Sequence, residues 1–304
     1  MQRKIILAAA IALVGAASPE AQAGADLYVS GSSTIGEYNA STGAAIHAPL
    51  VSGLSGPTGI AVSGSDLFVA NERAGTIGEY NASTGAAIHA PLVSGLSNPQ
   101  GIAVSGSDLF VVNFNSGTIG EYNASTGAAI HASLVSGLNF PAGIAVSGSD
   151  LFVANVNSGT IGEYNASTGA AINASLVSGL NFPLGLAVSG SDLFVANYNS
   201  DTIGEYNAST GAAINPSLVS GLNFPAGIAV SGSDLFVANY GTGTIGEYNA
   251  STGAAINPSL VSGLNFPLFL AVTNPPASVP EPASLSLLAA GALGLAAIRR
   301  RARR

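Results

Sequence analysis

Thr160-Ile161-Gly162-Glu163-Tyr164-Asn165-Ala166-Ser167-Thr168-Gly169 is written six times in this chain, with its tyrosine at Tyr38, Tyr80, Tyr122, Tyr164, Tyr206 and Tyr248, always 42 residues apart. The Thr-Ile-x-x-Tyr part has the β-branched and aromatic content of a strand. Asn-Ala-Ser-Thr-Gly is turn chemistry, ending in a glycine free to adopt a left-handed conformation. Outward from this stretch, the same unit reads Gly143-Ile144-Ala145-Val146 as a strand, Ser147-Gly148-Ser149 as a turn and Asp150 to Asn155 as a second strand. After the third strand and its turn, a fourth runs from Ala170 to Leu176, and Ser178 to Pro183 lead into the next copy. Four short strands per period of about 40 residues, with Gly-rich turns between them, predict an all-β, six-bladed β-propeller.

Counting strand types tests closure. The mature chain starts at Asp26 with a second strand, while Phe269-Leu270-Ala271-Val272, a first strand, stands after the last junction. That offset predicts a first blade completed by the C-terminal strand, which leaves no blade edge unpaired inside the ring. An open solenoid would instead need capping repeats. Hydrophobic residues make up 47% of the chain and charged residues 8%, which argues for a packed domain over disorder. With no Cys at all, the domain depends on core packing alone.

The ends carry different information. Arg3 and Lys4, the apolar run Ile5 to Val14 and Ala21-Gln22-Ala23 read as a signal peptide over residues 1–23, so the propeller at 24–274 is expected to be exported. Residues 275–304 form a linker and tail: Pro280-Glu281-Pro282, an apolar run from Leu285 to Ile298, and then Arg299-Arg300-Arg301-Ala302-Arg303-Arg304. This tripartite tail resembles the PEP-CTERM sorting signal. The resemblance implies that a membrane protease-transpeptidase, exosortase, is the processing partner and reads Pro280, Glu281 and Pro282. Fourteen apolar residues as a helix reach about 21 Å, short of the roughly 30 Å hydrocarbon core, so a transient inner-membrane anchor needs flanking arginines to snorkel. The positive-inside rule keeps those arginines cytoplasmic.

Between residues 24 and 278 a single cation, Arg73, stands against fourteen Asp and Glu, a net −13. Nucleic acid and anionic lipid are unsuitable partners for such a surface. The acidity otherwise serves solubility.

The pattern Pro-x-Gly-Ile-Ala-Val, Asp-Leu-Phe-Val-Ala-Asn, Thr-Ile-Gly-Glu-Tyr, spanning Asp26 to Val272, is similar to NHL-type six-bladed propeller repeats. The likeness implies a fold and transfers no activity. It lacks the basic residues that many NHL domains use for RNA.

Because the copies are near-identical, their differences point to where function could reside. The loop after the second strand reads Glu72-Arg73-Ala74, Phe114-Asn115-Ser116, Val156-Asn157-Ser158, Tyr198-Asn199-Ser200 and Tyr240-Gly241-Thr242. The junction reads Ser55-Gly56-Pro57, Ser97-Asn98-Pro99, then Asn-Phe-Pro with Phe140, Phe182, Phe224 and Phe266. Both connections fall on one rim of a four-stranded meander. Two readings stand: Phe114, Tyr198, Tyr240, Phe140, Phe182 and Phe224 form a partner surface, or the phenylalanines fill gaps between blades.

Catalytic chemistry finds little support, and no catalytic, cofactor or metal residue is expected. Innermost strands of Gly, Ile, Leu, Ala and Val offer an axial channel no ligand for a divalent ion. His47, His89 and His131 share one repeat position on three separate blades, replaced by Asn173, Asn215 and Asn257 elsewhere, so they cannot converge. They read as surface or strand-end residues. The Gly-Glu-Tyr glutamates read as solvated or hydrogen-bonded strand residues, and Asp201 breaks the repeat without a visible partner. The Asn-Ala-Ser sequons from Asn39 to Asn249 read as turns.

The sequence therefore predicts a non-enzymatic binding or structural protein of the cell surface or extracellular matrix, with exopolysaccharide or another envelope protein as candidate partners. A propeller hydrolase or lyase, gluconolactonase-like or amidating-lyase-like, is the alternative. A self-associating scaffold is the third class, because interchangeable blades invite swapping.

Overall fold

The computed structural model describes residues 25–273, which form six four-stranded antiparallel sheets and no helix. The expected signal peptide, the Pro-Glu-Pro tail and its apolar run lie outside the described residues. Among the described residues no helix is long and apolar enough to cross a membrane.

In the second blade the strands are Pro57–Ser63, Asp66–Asn71, Thr76–Asn81 and Ala87–Ser94, in sheet order equal to chain order. Blades three to six repeat this. The first blade differs as the strand count required: its innermost strand is Leu270–Val272, paired antiparallel with Asp26–Ser30, followed by Thr34–Asn39 and Ala45–Ser52. The ring is closed by its two extremities.

The seam has chemistry found in no other blade. Ser30 stands where later copies carry Ala70, Ala154, Ala196 or Ala238, and it is fully buried. Its hydroxyl accepts the Phe269 N–H at 2.9 Å and lies 3.1 Å from the Phe269 carbonyl oxygen, while its own N–H donates to that oxygen at 3.0 Å. At the other end of the pairing, the Asp26 N–H donates to Thr273 Oγ1 at 2.8 Å and the Thr273 N–H to the Asp26 carbonyl at 2.9 Å.

Second strands bury both faces, because each sheet is covered on both sides by its neighbours. Leu67 and Val69 point into the core between blades one and two, with Tyr28, Ile35 and Ile60, and Phe68 and Ala70 point into the core shared with blade three. Six such cores, one per interface, replace a single central one. Toward the axis the inner strands approach so closely that a Cβ at Gly143 would collide with the Leu184 carbonyl oxygen. The glycine is required there by contact between backbones. Phe269 occupies the sixth of these positions, and with Ile60, Ile102, Ile144, Leu186 and Ile228 it lines an axial cavity of about 90 Å³.

The Gly-Glu-Tyr motif has a packing reason. A Cβ at Gly120 would lie 2.6 Å from Tyr122 Cε2, so the tyrosine ring lies flat over the glycine two residues before it. The Asn-Ala-Ser-Thr-Gly segment is an Asx turn, as its composition predicts: Asn39 Oδ1 accepts the N–H groups of Ser41 and Thr42 and the Thr42 hydroxyl, and Gly43 sits at φ 69°.

Replacing Ser30 with Ala is expected to lower stability by roughly 1 kcal/mol, because it strips the half-buried Phe269 N–H of its acceptor. Ser at the equivalent Ala154 should bring no such gain. Chemical denaturation of both variants checks the pair of expectations.

Candidate functional site

The rim that carries the variable loops is built by backbone bonds that do not depend on side-chain identity. In blades two to six the first residue after the second strand donates its N–H to the carbonyl of the junction residue before proline: Glu72 to Gly56, Phe114 to Asn98, Val156 to Phe140, Tyr198 to Phe182 and Tyr240 to Phe224, at 2.9–3.2 Å. The junction residue is left-handed in every case: Gly56 at φ 64°, Asn98 at 58°, Phe140 at 51°, Phe182 at 57°, Phe224 at 50° and Phe266 at 53°. Gly and Asn adopt this conformation readily, whereas a bulky aromatic in it is an outlier.

The rings meet across blade boundaries. Tyr198 is the hub, with ring centroids 5.7 Å from Phe182, 5.0 Å from Phe224 and 6.2 Å from Tyr240; Tyr240 in turn lies 5.1 Å from Phe266. Five rings thus form one strip over blades four, five and six. Phe114 and Phe140 make a separate edge-on pair at 5.1 Å, and the residue in the Tyr198 position between the two groups is Val156, which is buried. All six candidate residues read from the sequence therefore lie on one rim, in two groups, and Phe266 extends the larger one. The repeat of Asn-Phe-Pro carried that signal.

The phenylalanines are neither fully packed between blades nor fully free. Phe140, Phe182, Phe224 and Phe266 are 43%, 37%, 44% and 53% exposed. A left-handed bulky residue costs roughly 1–2 kcal/mol, and one aromatic pair returns about 0.5–1.5 kcal/mol. Those two terms nearly cancel, which leaves the half of each ring that is buried as its remaining contribution to stability.

Asp201 has a partner after all. It occupies the position of Gly117 and Gly159 with φ 55°, and its carboxylate accepts the Phe224 N–H at 2.8 Å. The contact spans 23 residues, beyond the reach of local pattern reading. Tyr198, beside it, has its hydroxyl pushed up by burial and by the nearby Tyr240 and Asp201.

Of the two readings of the strand-three glutamates, hydrogen-bonded rather than solvated is the one that fits blades one to three. Glu37, Glu79, Glu121, Glu163, Glu205 and Glu247 are all buried. In blades one to three the carboxylate meets a half-exposed histidine: His47, His89 and His131 place Nδ1 2.6, 2.6 and 2.7 Å from Glu37, Glu79 and Glu121. These histidines are hydrogen-bond partners of the glutamates on separate blades and do not converge; no cluster of three potential metal ligands occurs among the described residues. In blades four to six the register partners are Asn173, Asn215 and Asn257, whose Oδ1 atoms instead accept N–H groups of Ser175, Ser217 and Ser259. Burial, and then the neighbouring Asp150, Asp192 and Asp234, raise the carboxyls of Glu163, Glu205 and Glu247.

Residues 278–301 match the family model described as the PEP-CTERM protein-sorting motif. The tail is a PEP-CTERM motif. No curated protein matches the chain. Among solved structures, a chain of the crystal structure of the nidogen/laminin complex superposes with a TM-score of 0.72 at 15% identity, over 82% of this chain and 98% of that one. The crystal structure of the computationally designed Ika8 protein gives a TM-score of 0.49 at 18% identity, over 81% and 74%. The nidogen likeness bears on fold alone and agrees with the six-bladed ring of the PEP-CTERM chain.

Two measurements follow for this PEP-CTERM propeller. Phe266→Gly should cost well below the roughly 3–5 kcal/mol of a core phenylalanine, because relief at φ 53° offsets the lost ring contact and only about half of the ring is buried. The raised carboxyls of Glu163, Glu205 and Glu247 stabilise the fold below their unfolded value of 4.5 and withdraw that contribution as pH rises through their folded values. Replacing all three with Gln should therefore raise the melting temperature at pH 7 and do so less at pH 4. An equal effect at both pH values would contradict the assignment.

Proposed function

We propose that this exosortase-sorted propeller is a non-enzymatic binding or structural protein of the cell envelope or extracellular matrix, and that it engages its partner through the aromatic rim. The observation that carries the reading is the strip of Phe182, Tyr198, Phe224, Tyr240 and Phe266, in which the three phenylalanines are exposed and held in a left-handed backbone that glycine or asparagine would occupy with less strain, and the two tyrosines are half-buried between them. Rigidly supported aromatics on loops lose little conformational entropy on contact, which makes them efficient binding groups.

Connectivity supports the same assignment. Asp26 and Thr273 bond to each other at the rim of the Ser-Gly-Ser-Asp turns, opposite the aromatics, so the last described residue of the propeller stands on the face that does not vary. The axial cavity supports the non-enzymatic side of the reading, since its lining of Gly59, Gly101, Gly143, Gly185, the aliphatic residues and Phe269 supplies no acid, base or nucleophile.

The test is retention. Phe114, Tyr198 and Tyr240 replaced together with Ser should release the processed protein from the cell surface or matrix into the medium, with circular dichroism unchanged. Retention equal to the natural chain would remove the rim from the proposal.

A further inference from the structure

We infer that the five-ring strip is a polysaccharide-binding platform for a glycan without charged groups, an inference that rests on the rim being the partner surface. Three features select this ligand class over others.

The first is the alternation of chemistry along the strip. Between and beside the rings stand exposed amides, Asn181, Asn199, Asn223 and Asn265, each able to donate and to accept. A sugar ring matches that pattern: its C–H faces are apolar and slightly positive, suited to the negative face of an aromatic ring, and its rim carries hydroxyls that exchange hydrogen bonds with amides. A protein interface core would instead desolvate these amides, at a cost unless each found a partner.

Charge is the second feature. No lysine or arginine stands among the five rings, and the one carboxylate there, Asp201, already accepts the Phe224 N–H. Arg73 lies across a recess of about 160 Å³ at the end of the strip, where the short loop of blade one leaves Gly31 and Ser32 low beside Tyr240 and Phe266. With the body at net −13, an anionic polymer would be repelled along the strip's length.

The third is preorganisation. Ring contacts of 5.0–6.2 Å join Phe182, Tyr198, Phe224, Tyr240 and Phe266 into one continuous surface, which suits an extended chain more than a compact small molecule. Gly241 belongs to the same design. A Cβ there would collide with Asn223 Oδ1 and come within 2.9 Å of Phe224 Cδ2, so the glycine lets the ring and the amide sit side by side.

Affinity electrophoresis of the purified full chain, in native gels containing dextran, hydroxyethyl cellulose or galactomannan, with alginate as the anionic comparison, tests the inference. At least one neutral polymer should retard the protein more than alginate does. Tyr198→Ala should weaken that retardation by about tenfold or more, while Tyr198→Phe should keep it. Gly241→Ala, which removes no ring but displaces Asn223 and Phe224 from their places beside each other, should weaken it too, and keeps the test valid should Tyr198→Ala fold poorly. Retardation absent from all three neutral gels, stronger in alginate, or equal in Gly241→Ala and the natural chain would overturn the glycan assignment. Loss of surface retention by the Ser triple variant together with absent glycan binding would leave the rim as partner surface and remove only the ligand class.

Discussion

The pairing of Asp26–Ser30 with Leu270–Val272 is the constraint on which the remaining structure depends. Six cores lie between blades, so each sheet requires a neighbour on both sides, and a ring of five complete blades with one open three-stranded blade would expose the inner edge of the first. Closure by a strand from the far end of the chain means that residues 247 positions apart must meet before the last interface can form. The Ser30 hydroxyl and Thr273 Oγ1 reinforce the short seam strand, which has only three residues in its ladder.

Identical blades solve the packing problem once and reuse it, which is why so much of the fold was legible. The tyrosine over its preceding glycine, the Asx turn and the inner-strand glycine recur at each copy, and a 42-residue period reports all of them together. The offset of strand types told which end closes the ring. Less could be read where the determining contact is between positions the repeat does not align. Asp201 meets Phe224 from a neighbouring segment, and the glutamates of Gly-Glu-Tyr are covered by adjoining strands, although their own sequence gives no sign of burial. Of the site, the residue types and the rim were legible from variation between copies; the division into a five-ring strip and a separate pair arises from Val156, one buried side chain in the series.

Freedom to vary on that rim has a structural origin. Loop and junction are tied by a backbone bond from the loop N–H to the junction carbonyl, so side chains there can change without loss of the connection. The opposite rim has no such latitude, because Asn39 Oδ1 and its counterparts hold the turn with a side chain, and Gly43 abuts the Leu260 carbonyl of the preceding blade. Aromatic residues accumulated where the scaffold tolerates them, in spite of a left-handed backbone that favours smaller residues.

The outer strands show how an exposed ring of edges is kept from pairing with other chains. Each carries an exposed isoleucine, Ile46, Ile88, Ile130, Ile172, Ile214 and Ile256, which on an open edge invites association. Pro49, Pro91, Pro216 and Pro258 remove a donor from four of the six edges, and in blade four the Asn173 side chain occupies the Ser175 N–H. Proline thus blunts four of the six edges. The exposed apolar groups of the aromatic rim differ from these isoleucines in kind, because they stand on loops and meet one another ring to ring.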